Sequence, residues 1–241
     1  MPLPFALLFV TLAAIGWNWV LLAFDRQEAS PRISASAPLP SIIALFAGML
    51  VAALVFIVEV VVAFPAPFGP GSDRISRAIL EEGLKGLGLV LLFFWARARF
   101  AGWRQGIAYA GIIGAGFLLG DYALRLEDLL PSAGWETAFF WRILVFGGLP
   151  ALCTGIIGVG LGLARTATNR TLGVLAGVAG LVGAVLANVL LRGQVVATAT
   201  LNTESALPIF VGNLILIGAY ALLYYWGRQR IARATAAASA S

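Results

Sequence analysis

The chain has 241 residues, 61 % of them hydrophobic and only 11 % charged, with a mean hydropathy of +0.95. That balance excludes an ordinary soluble domain and reads as a protein embedded in a membrane. The formal charge of +5 does not describe a nucleic-acid surface, because the basic residues flank apolar stretches, and the lack of any histidine removes imidazole acid–base chemistry and the usual zinc sites.

A helix that crosses the hydrocarbon needs roughly 20 apolar residues. Residues 3–24, 41–64, 75–96, 105–125, 139–164, 172–191 and 207–226 each meet that length. The fold expected is therefore all-α, a polytopic bundle of about seven transmembrane helices forming one membrane domain over residues 1–241. The first stretch has no basic residue before it and no clear small-residue cleavage site, so it reads as a retained helix and not as a removable signal peptide. Residues 27–40, rich in Ser, Ala and Pro, read as a loop, and the run Pro65 to Gly71 forces a turn before the third stretch. Residues 126–136, with Glu127, Asp128 and Pro131 among leucines, read as a short interfacial segment. Residues 227–241 form a basic, partly disordered tail that is rich in Ala and Ser toward its end.

Arg26, Arg32, Arg97, Arg99, Arg104, Arg165, Arg170, Arg228, Arg230 and Arg233 fall on one side of this topology. Arg74, Arg77, Arg125, Arg142 and Arg192 fall on the other. The asymmetry predicts an N-terminus outside and a C-terminus in the cytoplasm. Cys153 is the single cysteine, so no intramolecular disulfide forms. Glycines recur within the fourth, fifth and sixth stretches, among them Gly114, Gly116, Gly158, Gly160 and Gly180. Small residues at such spacings let helix backbones approach closely in lipid.

Each charge held at the centre of a membrane costs roughly 2.5 to 3.5 kcal/mol on insertion scales, so it needs a partner or a purpose. The third stretch carries Glu81, Glu82 and Lys85, and the lysine is within helical reach of either carboxylate, at i+4 from Glu81 and i+3 from Glu82. One lysine does not cancel both charges. Glu59, Asp121, Arg142, Asn188 and Asn213 fall with this pair in the outer half of the predicted bundle. Pro150 inside the fifth stretch predicts a kink or a lost hydrogen bond there.

Residues 76–191 resemble the PrsW family of intramembrane proteases, relatives of the CAAX prenyl endoproteases. The resemblance rests on Glu81-Glu82-x-x-Lys85, then Gly116-Phe117 with an acid four residues after the Phe at Asp121, then Arg142 with Thr154 and a glycine run, then Asn188. It implies hydrolysis of a peptide bond within the membrane, in a bacterial-type plasma membrane, with a transmembrane protein as substrate or partner. Glu81, Glu82, Asp121 and Asn188 are then the catalytic candidates, supported by Lys85, Arg142 and Thr154. It also implies histidines where this chain has Pro150 and Ala184. Whether a metal binds stays open; oxygen ligands alone suit harder divalent ions such as magnesium or manganese. The expected function is a family protein with reduced or lost peptidase activity that acts on or binds transmembrane segments. Two alternatives stand beside it: an active protease dependent on carboxylates, and, in another class, a small ion- or proton-coupled transporter, disfavoured by the lack of a clear inverted repeat.

Overall fold

The computed structural model describes residues 38–62, 72–96, 100, 102–125, 148–196, 211 and 222. Among them are five long helices: α1 (Pro38–Val62), α2 (Ser72–Trp95), α3 (Trp103–Leu124), α4 (Leu149–Thr166) and α5 (Arg170–Val196). No strand occurs among the described residues. The first and last predicted stretches, at 3–24 and 207–226, fall almost wholly outside them, as do Arg142, Asn213, the interfacial segment and the tail. α1, α3, α4 and α5 are each long and apolar enough to cross a membrane. The helix α2 is set apart by its composition, since Asp73, Arg74, Arg77, Glu81, Glu82 and Lys85 crowd its N-terminal half while Gly86 to Trp95 is apolar.

Local chemistry accounts for several helix ends. The Asn169 side chain accepts the Thr171 backbone N–H at 2.8 Å, an N-terminal cap that opens α5. At the end of α3 the Arg125 N–H still reaches the Asp121 carbonyl at 3.1 Å. Pro150 overturns its expectation: it sits in the first turn of α4, just after Gly148, and opens that helix without kinking it. In a first turn the missing proline N–H would have had no intrahelical acceptor anyway, and the ring presets the helical φ.

The helices α1, α3, α4 and α5 pack side by side in that order, and α2 lies against all four. The row is close because glycine takes the contact positions. A Cβ on Gly106 of α3 would overlap the Gly158 carbonyl of α4, and one on Gly158 would overlap the Gly106 carbonyl, so the two backbones touch where neither has a side chain. Phe100, Tyr109, Ile112 and Ile113 join Leu89 and Ala184 in the apolar core beneath α2.

Burial runs opposite to that of a soluble protein. Phe46 and Leu50 on α1 and Val174, Val178, Leu186 and Leu190 on α5 are exposed, while Glu81, Glu82, Lys85 and Asn188 are buried. Apolar side chains outside and paired polar groups inside suit a hydrocarbon surround.

Candidate functional site

Glu81, Glu82 and Lys85 occupy successive turns of α2 where it is pressed against the other helices. Glu82 and Lys85 are fully buried and Glu81 is 1 % exposed. Of the two carboxylates within helical reach, the lysine takes Glu82, with Lys85 Nζ 2.6 Å from Glu82 Oε1. The other helices decide this choice. From α5, Asn188 Nδ2 donates to the same Glu82 oxygen at 2.7 Å and approaches Glu81 Oε2 at 3.4 Å. From α4, Thr154 Oγ1 lies 3.3 Å from Glu82 Oε2 and 2.7 Å from the Pro150 carbonyl one turn back. From α3, the Phe117 ring lies under the ammonium, 4.3 Å from Lys85 Nζ to its centroid, a cation–π contact.

Two donors, Lys85 and Asn188, therefore converge on one Glu82 oxygen, while the single proton of the Thr154 hydroxyl is shared between the nearer Pro150 carbonyl and the other Glu82 oxygen. Two carboxylates beside the Asn188 amide also fix its orientation, because an amide oxygen turned toward them would be repelled.

Glu81 takes a different cation, one of the arginines whose distribution marks the topology. Arg77, one turn earlier on α2, donates its Nε–H to Glu81 Oε1 at 3.0 Å. The same nitrogen lies 2.8 Å from Glu59 Oε1 on α1, an ion pair off the hydrogen-bond line. Arg125 then pairs with the other Glu59 oxygen, and its Nε donates to Asp121 Oδ1 at 2.8 Å. A continuous polar path thus runs from Asn188 through Glu81, Arg77, Glu59 and Arg125 to Asp121. Burial by itself lowers the Arg125 pKa, but the bonds and charges of Asp121 and Glu59 outweigh it and raise the value, so the guanidinium stays charged.

The sequence-derived candidates thus divide in two. Glu81, Glu82, Asn188, Lys85 and Thr154 meet in one buried centre. Asp121 belongs to the outer ion-pair network, two arginines and Glu59 away along the path. Arg77, Glu59 and Arg125 went unassigned to the site in the sequence. Arg77 to Glu81 and Asp121 to Arg125 are both i,i+4 pairs, a signal that was present. Nothing in the sequence joins Glu59 to Arg125.

Membrane-spanning helices enclosing a compensated pair of carboxylates define an integral membrane protein with a polar centre buried among its helices. The profile of the PrsW family, described as PrsW family intramembrane metalloprotease, matches residues 38–223, and the chain belongs to that family. The match extends to both sides of the 76–191 range that carries the motifs. No curated protein and no solved structure matches the chain.

A metal, as the family description implies, does not fit the residues described. The chain has no histidine, its one cysteine is buried on α4, and no three His, Cys, Asp or Glu side chains among the described residues are grouped to hold an ion. A zinc centre takes three or four nitrogen, sulfur or carboxylate donors. Here the two carboxylates already face an ammonium, a guanidinium and an amide turned to donate. A divalent cation placed on Glu82 would meet the Lys85 charge at close range.

Proposed function

We propose that this PrsW-family protein acts on or binds transmembrane segments of other proteins, with peptidase activity reduced or lost. The observation that carries the reading is the state of Glu82. Its Oε1 accepts from both the Lys85 ammonium and the Asn188 amide, so that oxygen ties α2 to α5 instead of standing free as a general base. Pro150 and Ala184, where the family resemblance implies histidine, stand one turn before Thr154 and Asn188, and neither supplies a metal ligand or an imidazole base. The part of this polar network left open to a passing helix is its edge at Arg77, 36 % exposed, which favours segments that carry their own intramembrane acceptors.

The arginine asymmetry supports an N-terminus outside and a cytoplasmic C-terminus, with the carboxylate centre toward the outer leaflet. Co-expression with single-pass membrane proteins tests the whole reading. The expected result is association without cleavage, with no new fragment when zinc is added. Robust cleavage that disappears in Glu81→Ala and Glu82→Ala would overturn it in favour of an active carboxylate-dependent protease.

A further inference from the structure

The end of the bundle away from the carboxylates carries a feature that the proposed function does not use. A cleft of about 380 Å³ lies between the C-terminal part of α2 and the turn that joins α4 to α5. Arg165 and Arg170 stand on its polar side, and Phe93, Leu161 and Gly177 are among the residues of its apolar side. Both arginines are exposed, and among the described residues neither side chain makes an ion pair or hydrogen bond. Asn169 between them caps Thr171, so the turn that sets their spacing is itself fixed.

The charge around them is one-sided. Every Asp and Glu of the described helices (Glu59, Asp73, Glu81, Glu82 and Asp121) lies in the C-terminal part of α1 or α3 or in the N-terminal half of α2, away from this turn. Trp95 ends α2 and Trp103 begins α3 at the same end as the cleft, and Arg104 stacks on Trp103 with 5.3 Å from guanidinium carbon to ring. Tryptophan and arginine together mark the level of lipid headgroups.

We propose that this cleft binds an anionic phospholipid, its phosphate between Arg165 and Arg170 and one acyl chain along Leu161, Phe93 and Gly177. Guanidinium forks match phosphate oxygens in geometry as well as charge. The apolar wall that continues from the arginines favours a lipid over a free anion, because inorganic phosphate would leave it unused. Gly177 keeps the wall open: a Cβ there would find its nearest neighbour at 3.9 Å, on the Leu161 side chain.

Native mass spectrometry of the full-length protein, released from nanodiscs of equal phosphatidylglycerol and phosphatidylcholine, tests the site. Retention of phosphatidylglycerol over phosphatidylcholine is expected. The double variant Arg165→Gln/Arg170→Gln should lose about tenfold or more of that retention, since basic residues near a membrane surface each contribute appreciably to anionic lipid binding. Gly177→Leu, which keeps both charges and fills the groove, should also release the lipid, with thermal unfolding unchanged in both variants. Equal retention of the two lipids by the wild type would overturn the proposal. So would full phosphatidylglycerol retention in either variant, or binding of inorganic phosphate as tight as that of the lipid.

Discussion

Two polar clusters sit a few turns apart in this molecule, and they are held on different terms. In the inner set, Glu82, Lys85, Thr154 and Asn188 are buried; Lys85 pairs with Glu82 within α2, and Asn188 and Thr154 reach Glu82 from α5 and α4. In the outer set, Glu59, Arg77, Asp121 and Arg125 also pair, but the Arg77 and Arg125 side chains are 36 % and 25 % exposed. An ion pair at an exposed site gains little, because water solvates its members almost as well when they part. A buried pair has no such refuge. Its net worth against apolar residues is small, yet removal of one member strands the other as an uncompensated charge. The inner set thus acts as an obligate unit, and the outer set as an adjustable clasp across the ends of α1, α2 and α3.

The sharpest way to break that distinction is Lys85→Ala. Loss of the ammonium leaves Glu82 buried with only Asn188 and Thr154, and a cost of about 3–5 kcal/mol is expected. Replacing both members, Lys85→Met with Glu82→Leu, should cost far less than Lys85→Ala alone. Reversible unfolding in mixed micelles measures both, and a double variant as unstable as the single one would mean that the pair is not a closed electrostatic unit. Asn188→Ala comes next, at about 1–3 kcal/mol, because it withdraws the only described donor from α5 to the two glutamates. An unchanged midpoint would show that α5 is held by its apolar contacts alone.

Much of this fold was legible because lipid imposes a length. Apolar runs placed α1, α3 and α5 within a few residues at most ends, for instance 105–125 against Trp103–Leu124. Close helix packing through glycine was also readable, since spacing alone implies it, and Gly106 facing Gly158 realises it. Pro150 was misread because a proline within an apolar run looks the same whether it opens a helix or interrupts one. The site was legible as a set of residues and not as a set of bonds. Helical spacing allowed Lys85 either glutamate, and Asn188 and Thr154, 106 and 72 residues away from Glu82 in the chain, surround the one it takes. Arg77 reads in the sequence only as a marker of topology, because long-range pairing to Glu59 leaves no trace in local sequence.

The smallest expected effect belongs to the clasp. Arg125→Ala removes a guanidinium shared by Glu59 and Asp121, which keeps Arg77 near Glu59 as a remaining cation. Arg77 still faces Glu59 after the change and the Arg125 site is 25 % exposed, so a loss of roughly 1 kcal/mol is expected. Salt separates this loss from the inner one. At 0.5 M salt the Debye length falls to about 4 Å, and the difference between wild type and Arg125→Ala should shrink toward zero while that of Lys85→Ala holds. Unfolding midpoints for both variants at low and high salt provide the check. If Arg125→Ala kept its full effect in high salt, the clasp would have to be shielded from solvent like the inner set, and the two regions would differ in position alone.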